Sequence, residues 1–193
     1  MNQYIFKFAY RAGLHDATAQ QAYPCKEGEQ KKLRENKDAI KIVQSYIDSI
    51  LNGAPEDFYE VAEKLVASFN AFESKNHLSG KFLFGNAQKL INITAKFMYL
   101  TVYANSHLRA NFECCHCPLD RIMGRFVKKE AKKLTKPFPH EIEDIIKNKG
   151  WKVWDGTWSK ISEDDYRNYQ TMVTYLAEKE GLFPLEYDYR HFE

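Results

Sequence analysis

The chain has 193 residues, 44% hydrophobic and 15% aromatic, enough for one sizeable core. That composition excludes a disordered tail, a collagen-like fibre and a disulfide-stapled miniprotein. Lys plus Arg total 28 against 26 for Asp plus Glu, a formal charge of +2, so any polyanion site must be a local patch. The expectation is one soluble, monomeric, cytoplasmic domain over 1–193. No run approaches the roughly 20 apolar residues of a membrane span, and Lys7 interrupts the apolar start, Met1 to Arg11, that a leader would need. Cys114, Cys115 and Cys117 crowd together and leave only Cys25 apart, which reads as reduced thiols.

Apolar residues recur at threes and fours and strict alternation is hard to find, so the predicted class is all-α. Ile40, Val43, Ile47, Ile50 and Leu51 form one helical stripe, with Gly53 as its C-terminal cap. Pro55 fits the first turn of a second helix with the stripe Phe58, Val61, Leu65, Phe69 and Phe72, and the pair reads as an antiparallel hairpin. A polar connector, Ser74 to Gly80, precedes Phe82-Leu83-Phe84-Gly85 and a run from Ala87 to Tyr103 that is apolar nearly all round, the mark of a buried central helix. Asn105 to Cys117 reads as irregular. A basic helix is expected from about Pro118 to Lys136, stopped by Pro137 and Pro139. Trp151 to Trp158 contains the turn signal Asp155-Gly156. Ser162 and Asp165 form a capping pair for a final helix past Tyr166, Tyr169, Val173 and Leu176 to Gly181.

The informative feature is a polar stripe on the central helix. Lys89 and Lys96, seven apart, lie nearly on one line, with Asn92 between them and Gly85 one turn before. An ammonium group out of water is costly unless it meets a carboxylate, a phosphate or a wet cleft, although lysine stems can also cover apolar surface with their heads in solvent. Lys89 falls in the first turns, where unpaired backbone N–H groups favour an anion. Farther along, Cys117-Pro118-Leu119-Asp120-Arg121 sets an aspartate after a proline, where it either serves the helix dipole alone or, paired with a lysine, accepts a proton or stabilises positive charge. Lys128, Lys129, Lys132, Lys133 and Lys136 follow, a solvated face or a set of phosphate contacts. Trp151, Trp154 and Trp158 offer stacking surfaces for an extruded base or simply fill a core. Four consecutive ligand types, Cys114 to Cys117, cannot wrap a tetrahedral metal without help from Cys25, His107 or His140, so no metal or other cofactor is expected.

The segment Gly85-Asn86-Ala87-Gln88-Lys89-Leu90-Ile91-Asn92-Ile93-Thr94-Ala95-Lys96-Phe97-Met98-Tyr99, followed by Cys117-Pro118-Leu119-Asp120-Arg121, resembles the helix-hairpin-helix DNA glycosylases, most nearly their archaeal 8-oxoguanine glycosylase branch. The resemblance covers Phe82 to about Phe126. It implies a hairpin leading into a helix that carries the catalytic lysine, Lys89, and a Pro-x-Asp element that supplies the catalytic aspartate, Asp120. It further implies DNA contacts by Gly85, Asn86, Ala87, Gln88, Lys96, Arg121, Lys128, Lys129 and Lys132, and a base pocket with Asn92, Cys117, Trp151, Trp154 and Trp158. The chain departs from the pattern at Phe84-Gly85-Asn86-Ala87, where two glycines are common, and at Cys117 before the proline. Its short length is similar to that of compact bacterial phage-defence glycosylases that remove glucosylated hydroxymethylcytosine. The partner implied is DNA with a modified base. A non-catalytic DNA-binding module, or a structural helical protein in which Lys89 and Asp120 form an ordinary ion pair, is the competing reading.

Overall fold

The structure is a computed structural model, and it describes residues 2–19, 22–147 and 158–191. Every described element is helical, and none of the helices is long and apolar enough to cross a membrane. The chain divides into two compact units, Met1–Cys114 and Cys115–Glu193.

The first unit is built on α1 (Gln3–Thr18), α2 (Glu29–Lys32), α3 (Lys37–Leu51), α4 (Phe58–Lys75), α5 (Phe84–Val102) and the short α6 (Ser106–Ala110). Its centre is α5, whose residues 85–95 are all buried, as the unbroken apolar run requires. The main partner of α5 is α1. They meet at Gly13, where a Cβ would stand 2.7 Å from the Leu90 carbonyl oxygen and 2.8 Å from the Thr94 hydroxyl. Glycine costs about 1 kcal/mol against alanine inside a helix, and here its bare Cα lets two backbones approach. At the other end of the crossing Phe8 meets Phe97 edge-on, ring centres 5.5 Å apart.

Helices α3 and α4 form the expected antiparallel pair. Asn36 caps α3 through the Ala39 N–H and donates to the Ser68 carbonyl late in α4, while Ser45 and Ser49 near the end of α3 bond Glu56 ahead of α4. Gly53 follows α3 at φ +70°. Pro55 does not open α4: Asp57 does, its Oδ1 accepting from the Tyr59 and Glu60 N–H groups at 2.9 Å, because a side-chain acceptor satisfies orphan donors that proline cannot. The stretch read as irregular holds α6 and a 3-10 turn at Asn111–Cys114.

Where α4 ends, Glu73 is carried into the interior at 4% exposure. Its Oε2 accepts from the Phe82 N–H, and the Tyr23 hydroxyl is the neighbour of the carboxylate. Burial pushes the Glu73 carboxyl above its ordinary value. A folded-state value above the unfolded one means that the neutral form suits the fold, so this group's contribution is full in acid and is lost as pH rises through the raised value. Glu73→Gln, which keeps the acceptor and removes the charge, should therefore raise the melting temperature at neutral pH. The gain should vanish on acidification, as a thermal denaturation series against pH would record.

The second unit comprises α7 (Arg121–Ala131), α8 (His140–Lys147), α9 (Glu163–Lys179) and α10 (Pro184–His191), with α9 touching the other three. The basic helix is shorter than the sequence suggests. It starts at Arg121 because Asp120 caps it, and it ends at Ala131, before Lys132 to Lys136. Ser162 opens α9 as expected, accepting from the Asp165 N–H and donating to Asp165 Oδ2 at 2.7 Å. Gly181, at φ +66°, ends that helix, but α9 is not the last: Pro184 opens α10, whose Tyr187 and Leu185 are buried.

Candidate functional site

The residues singled out in the sequence divide between the two units. In the first, Lys89 sits in the second turn of α5 at 5% exposure, with Gln88 and Asn92 also buried. The Asn92 carboxamide donates to Gln88 Oε1 at 3.2 Å, so a polar pair is fixed one turn along the helix next to the lysine. Thr94 closes on its own helix, donating to the Leu90 carbonyl at 2.7 Å. Lys96 lies farther along at the point where α5 begins to emerge and is half-buried. The result is a polar band within an otherwise apolar helix.

The expected hairpin at Phe84-Gly85-Asn86-Ala87 is instead the first turn of α5, and the Ala87 N–H already bonds the Leu83 carbonyl. Asn86 explains why. Its Oδ1 accepts from the Leu83 N–H at 2.9 Å, and its Nδ2 donates to the Ala17 and Ala22 carbonyls at 2.7 and 2.9 Å. The side chain thus ties the start of α5 to the end of α1, and Gly85, Asn86, Ala87 and Gln88 are all buried. Gly85 is a close-packed helical residue and not a turn glycine, so these four positions form no exposed phosphate cradle.

In the second unit, Asp120 is the N-cap of α7: its Oδ1 accepts from the Ile122 and Met123 N–H groups, both at 2.9 Å. The chain leading to it is clamped by a residue that the sequence reading missed. Gln170 on α9 accepts from the Cys117 N–H at 3.1 Å and donates to the Cys117 carbonyl at 2.7 Å, a two-bond grip on an extended backbone. Cys117 is wholly buried, with its sulfur 3.3 Å from the Tyr169 hydroxyl. It is a packing group here, and His116 is likewise paired with Tyr166, Nδ1 to hydroxyl at 3.3 Å.

Burial pushes the Tyr169 phenol well above its ordinary value, and the Cys117 thiol, with the charges of Asp188 and Asp120, pushes it further. Tyr169 is therefore a neutral hydrogen-bonding group at any physiological pH. Asp188, 2% exposed on α10, is a buried carboxylate of this unit that the sequence reading missed; its only signal is an acid at an otherwise apolar helical spacing after Leu185.

Among the basic residues, Arg121, Arg125, Lys128 and Lys132 fall within about 60° of one another at 100° per residue, with Lys129 to one side. Arg121, Arg125, Lys129 and Lys132 are exposed and form no ion pair among the described residues. Lys133 and Lys136 differ, being held by Glu130 and Glu143 at 2.6 Å. Lys136 and Lys147, both bonded to Glu143, hold its carboxyl down at about 2. Trp158 is half-buried in a 3-10 turn, Trp158–Lys160, whereas Trp151, Trp154 and the Asp155-Gly156 turn signal lie outside the described residues. The four cysteines are free thiols, and among the described residues no three His, Cys, Asp or Glu side chains group as metal ligands would. Comparison with protein-family models, curated proteins and solved structures returns no match.

Proposed function

We propose that the chain is a DNA glycosylase that extrudes a modified base and excises it, leaving an abasic site. The observation that carries the reading is the burial of Lys89, an amine held at 5% exposure in the second turn of the central helix beside the Gln88–Asn92 pair. A primary amine is a side chain that can form a covalent bond to an electrophilic carbon. Asp120, capped onto α7 and steadied through the Gln170 grip on Cys117, matches the second half of the resemblance. The exposed cations Arg121, Arg125 and Lys129 of α7 supply sequence-independent phosphate contacts.

The base leaves only after the nucleotide is rotated out of the duplex, at a cost of a few kcal/mol of lost stacking. Asp120, ionised, stabilises the positive charge that builds on the sugar as the N-glycosidic bond lengthens. The Lys89 nitrogen forms a bond to C1′, the N-glycosidic electron pair departs with the base, and the amine proton passes to Asp120. Cleavage of the C1′–O4′ bond, with O4′ taking up a proton, then opens the sugar to a Schiff base and a route to strand cleavage; attack by water, with Lys89 orienting it, gives an intact abasic site. The substrate is either glucosylated hydroxymethylcytosine of phage DNA or 8-oxoguanine. Purified protein is to be incubated with DNA carrying each base and with unmodified DNA, and abasic sites counted with an aldehyde-reactive probe. Sites should accumulate in one modified DNA and not in the unmodified one; none in any of the three overturns the reading.

A further inference from the structure

A separate cavity of about 220 Å³ opens in the first unit between α1 and the segment that enters α3. Its floor is apolar, made by Phe6, Ile40 and the ring of Tyr10, with the Phe6 and Tyr10 ring centres 6.1 Å apart. Its rim is cationic: Lys7 and Arg11, one turn apart on α1, face the cavity together with Arg34. No carboxylate lines it, and none of the three cations forms an ion pair among the described residues. Three cations with no opposite charge in the lining therefore meet around one hollow. The Tyr10 hydroxyl is buried and has no hydrogen-bond partner among the described residues, a cost that a native fold rarely carries without cause.

We propose that this cavity binds a nucleoside monophosphate. Cations in a fork of two guanidinium groups and one ammonium suit a phosphate monoester, and the guanidinium geometry allows paired hydrogen bonds to its oxygens. The apolar floor suits a flat ring, and the carboxamides of Gln3 and Gln44 carry both donors and acceptors to read a base edge. The site stands apart from the excision chemistry and does not depend on it.

Isothermal titration of the full chain tests it, with adenosine and cytidine 5′-monophosphate as probes and adenosine, inorganic phosphate and a short single-stranded oligonucleotide as further arms. At least one monophosphate should bind saturably at one site. Adenosine alone and phosphate alone should each bind about tenfold more weakly or worse, and Arg11→Ala and Arg34→Ala should each weaken the monophosphate about tenfold. Both arginines are exposed, so the variants should keep the wild-type circular dichroism and melting curve. The proposal is overturned if no monophosphate binds at millimolar concentration, if inorganic phosphate binds as well, if the oligonucleotide binds more tightly in a manner lost with the same arginines, or if folded variants retain full affinity.

Discussion

Asp120→Asn should reduce base release by about 100-fold or more while leaving DNA affinity and the fold unchanged. The expectation rests on two roles meeting in one side chain. As the cap of α7, Asp120 Oδ1 accepts two backbone N–H bonds. Asparagine caps helices about as well as aspartate, so the start of α7 and the melting temperature should survive the change. What is lost is the negative charge that the proposed transition state needs. Asp120→Ala provides the contrast, since it removes the cap as well and should cost about 1 kcal/mol of stability on top of the activity. A variant Asp120→Asn that turned over as fast as wild type would reduce Asp120 to its capping role. The measurement is single-turnover base release from a modified duplex, with affinity read separately at fixed salt.

Lys89→Gln should abolish the covalent adduct that borohydride traps between the wild-type protein and its substrate DNA. Glutamine keeps polarity and most of the length at a position that is 5% exposed, so the polar band with Gln88 and Asn92 should persist and the variant should fold. Only a primary amine can form the imine that borohydride reduces, so loss of trapping with retained DNA binding identifies the nucleophile. Trapping that persists in the variant would move the nucleophile to another residue.

Much of the helical framework was legible because it is written in local signals. Ser162 sits where a cap should, Gly53 and Gly181 end helices at positive φ, and the apolar run that begins at Ala87 is buried without a break as far as Ala95. Helix α1 was not recognised, although Phe6, Tyr10, Leu14 and Ala17 are buried at helical spacing. Its approach to α5 is made at Gly13, where the absence of a side chain interrupts the apolar pattern. At Gly85 the family resemblance misled. It implies a hairpin over Phe84-Gly85-Asn86-Ala87, but the Asn86 carboxamide recruits the Leu83 N–H, the Ala17 carbonyl at the end of α1 and the Ala22 carbonyl just beyond it, and the segment is helix.

The residue types of the candidate site could be read, because a lysine inside an apolar helix and an aspartate after a proline are visible in one dimension. Their support could not. Gln170 grips Cys117 from 53 positions away, and nothing in the pattern of α9 marks that glutamine as different from any other polar residue on its face. The same holds for Asp188, which only the fold shows to be buried. Lys133 and Lys136 look like the rest of the basic run until Glu130 and Glu143 are found beside them.

The central claim is that Lys89 and Asp120 act on one nucleoside as a single catalytic unit. The most direct test is a kinetic double-mutant cycle with Lys89→Gln, Asp120→Asn and the double variant, measured as single-turnover base release from one defined modified duplex. Groups that work together lose their effect together, so the double variant should be no slower than the slower single variant. Losses that multiply, each residue contributing as though the other were absent, would contradict the account.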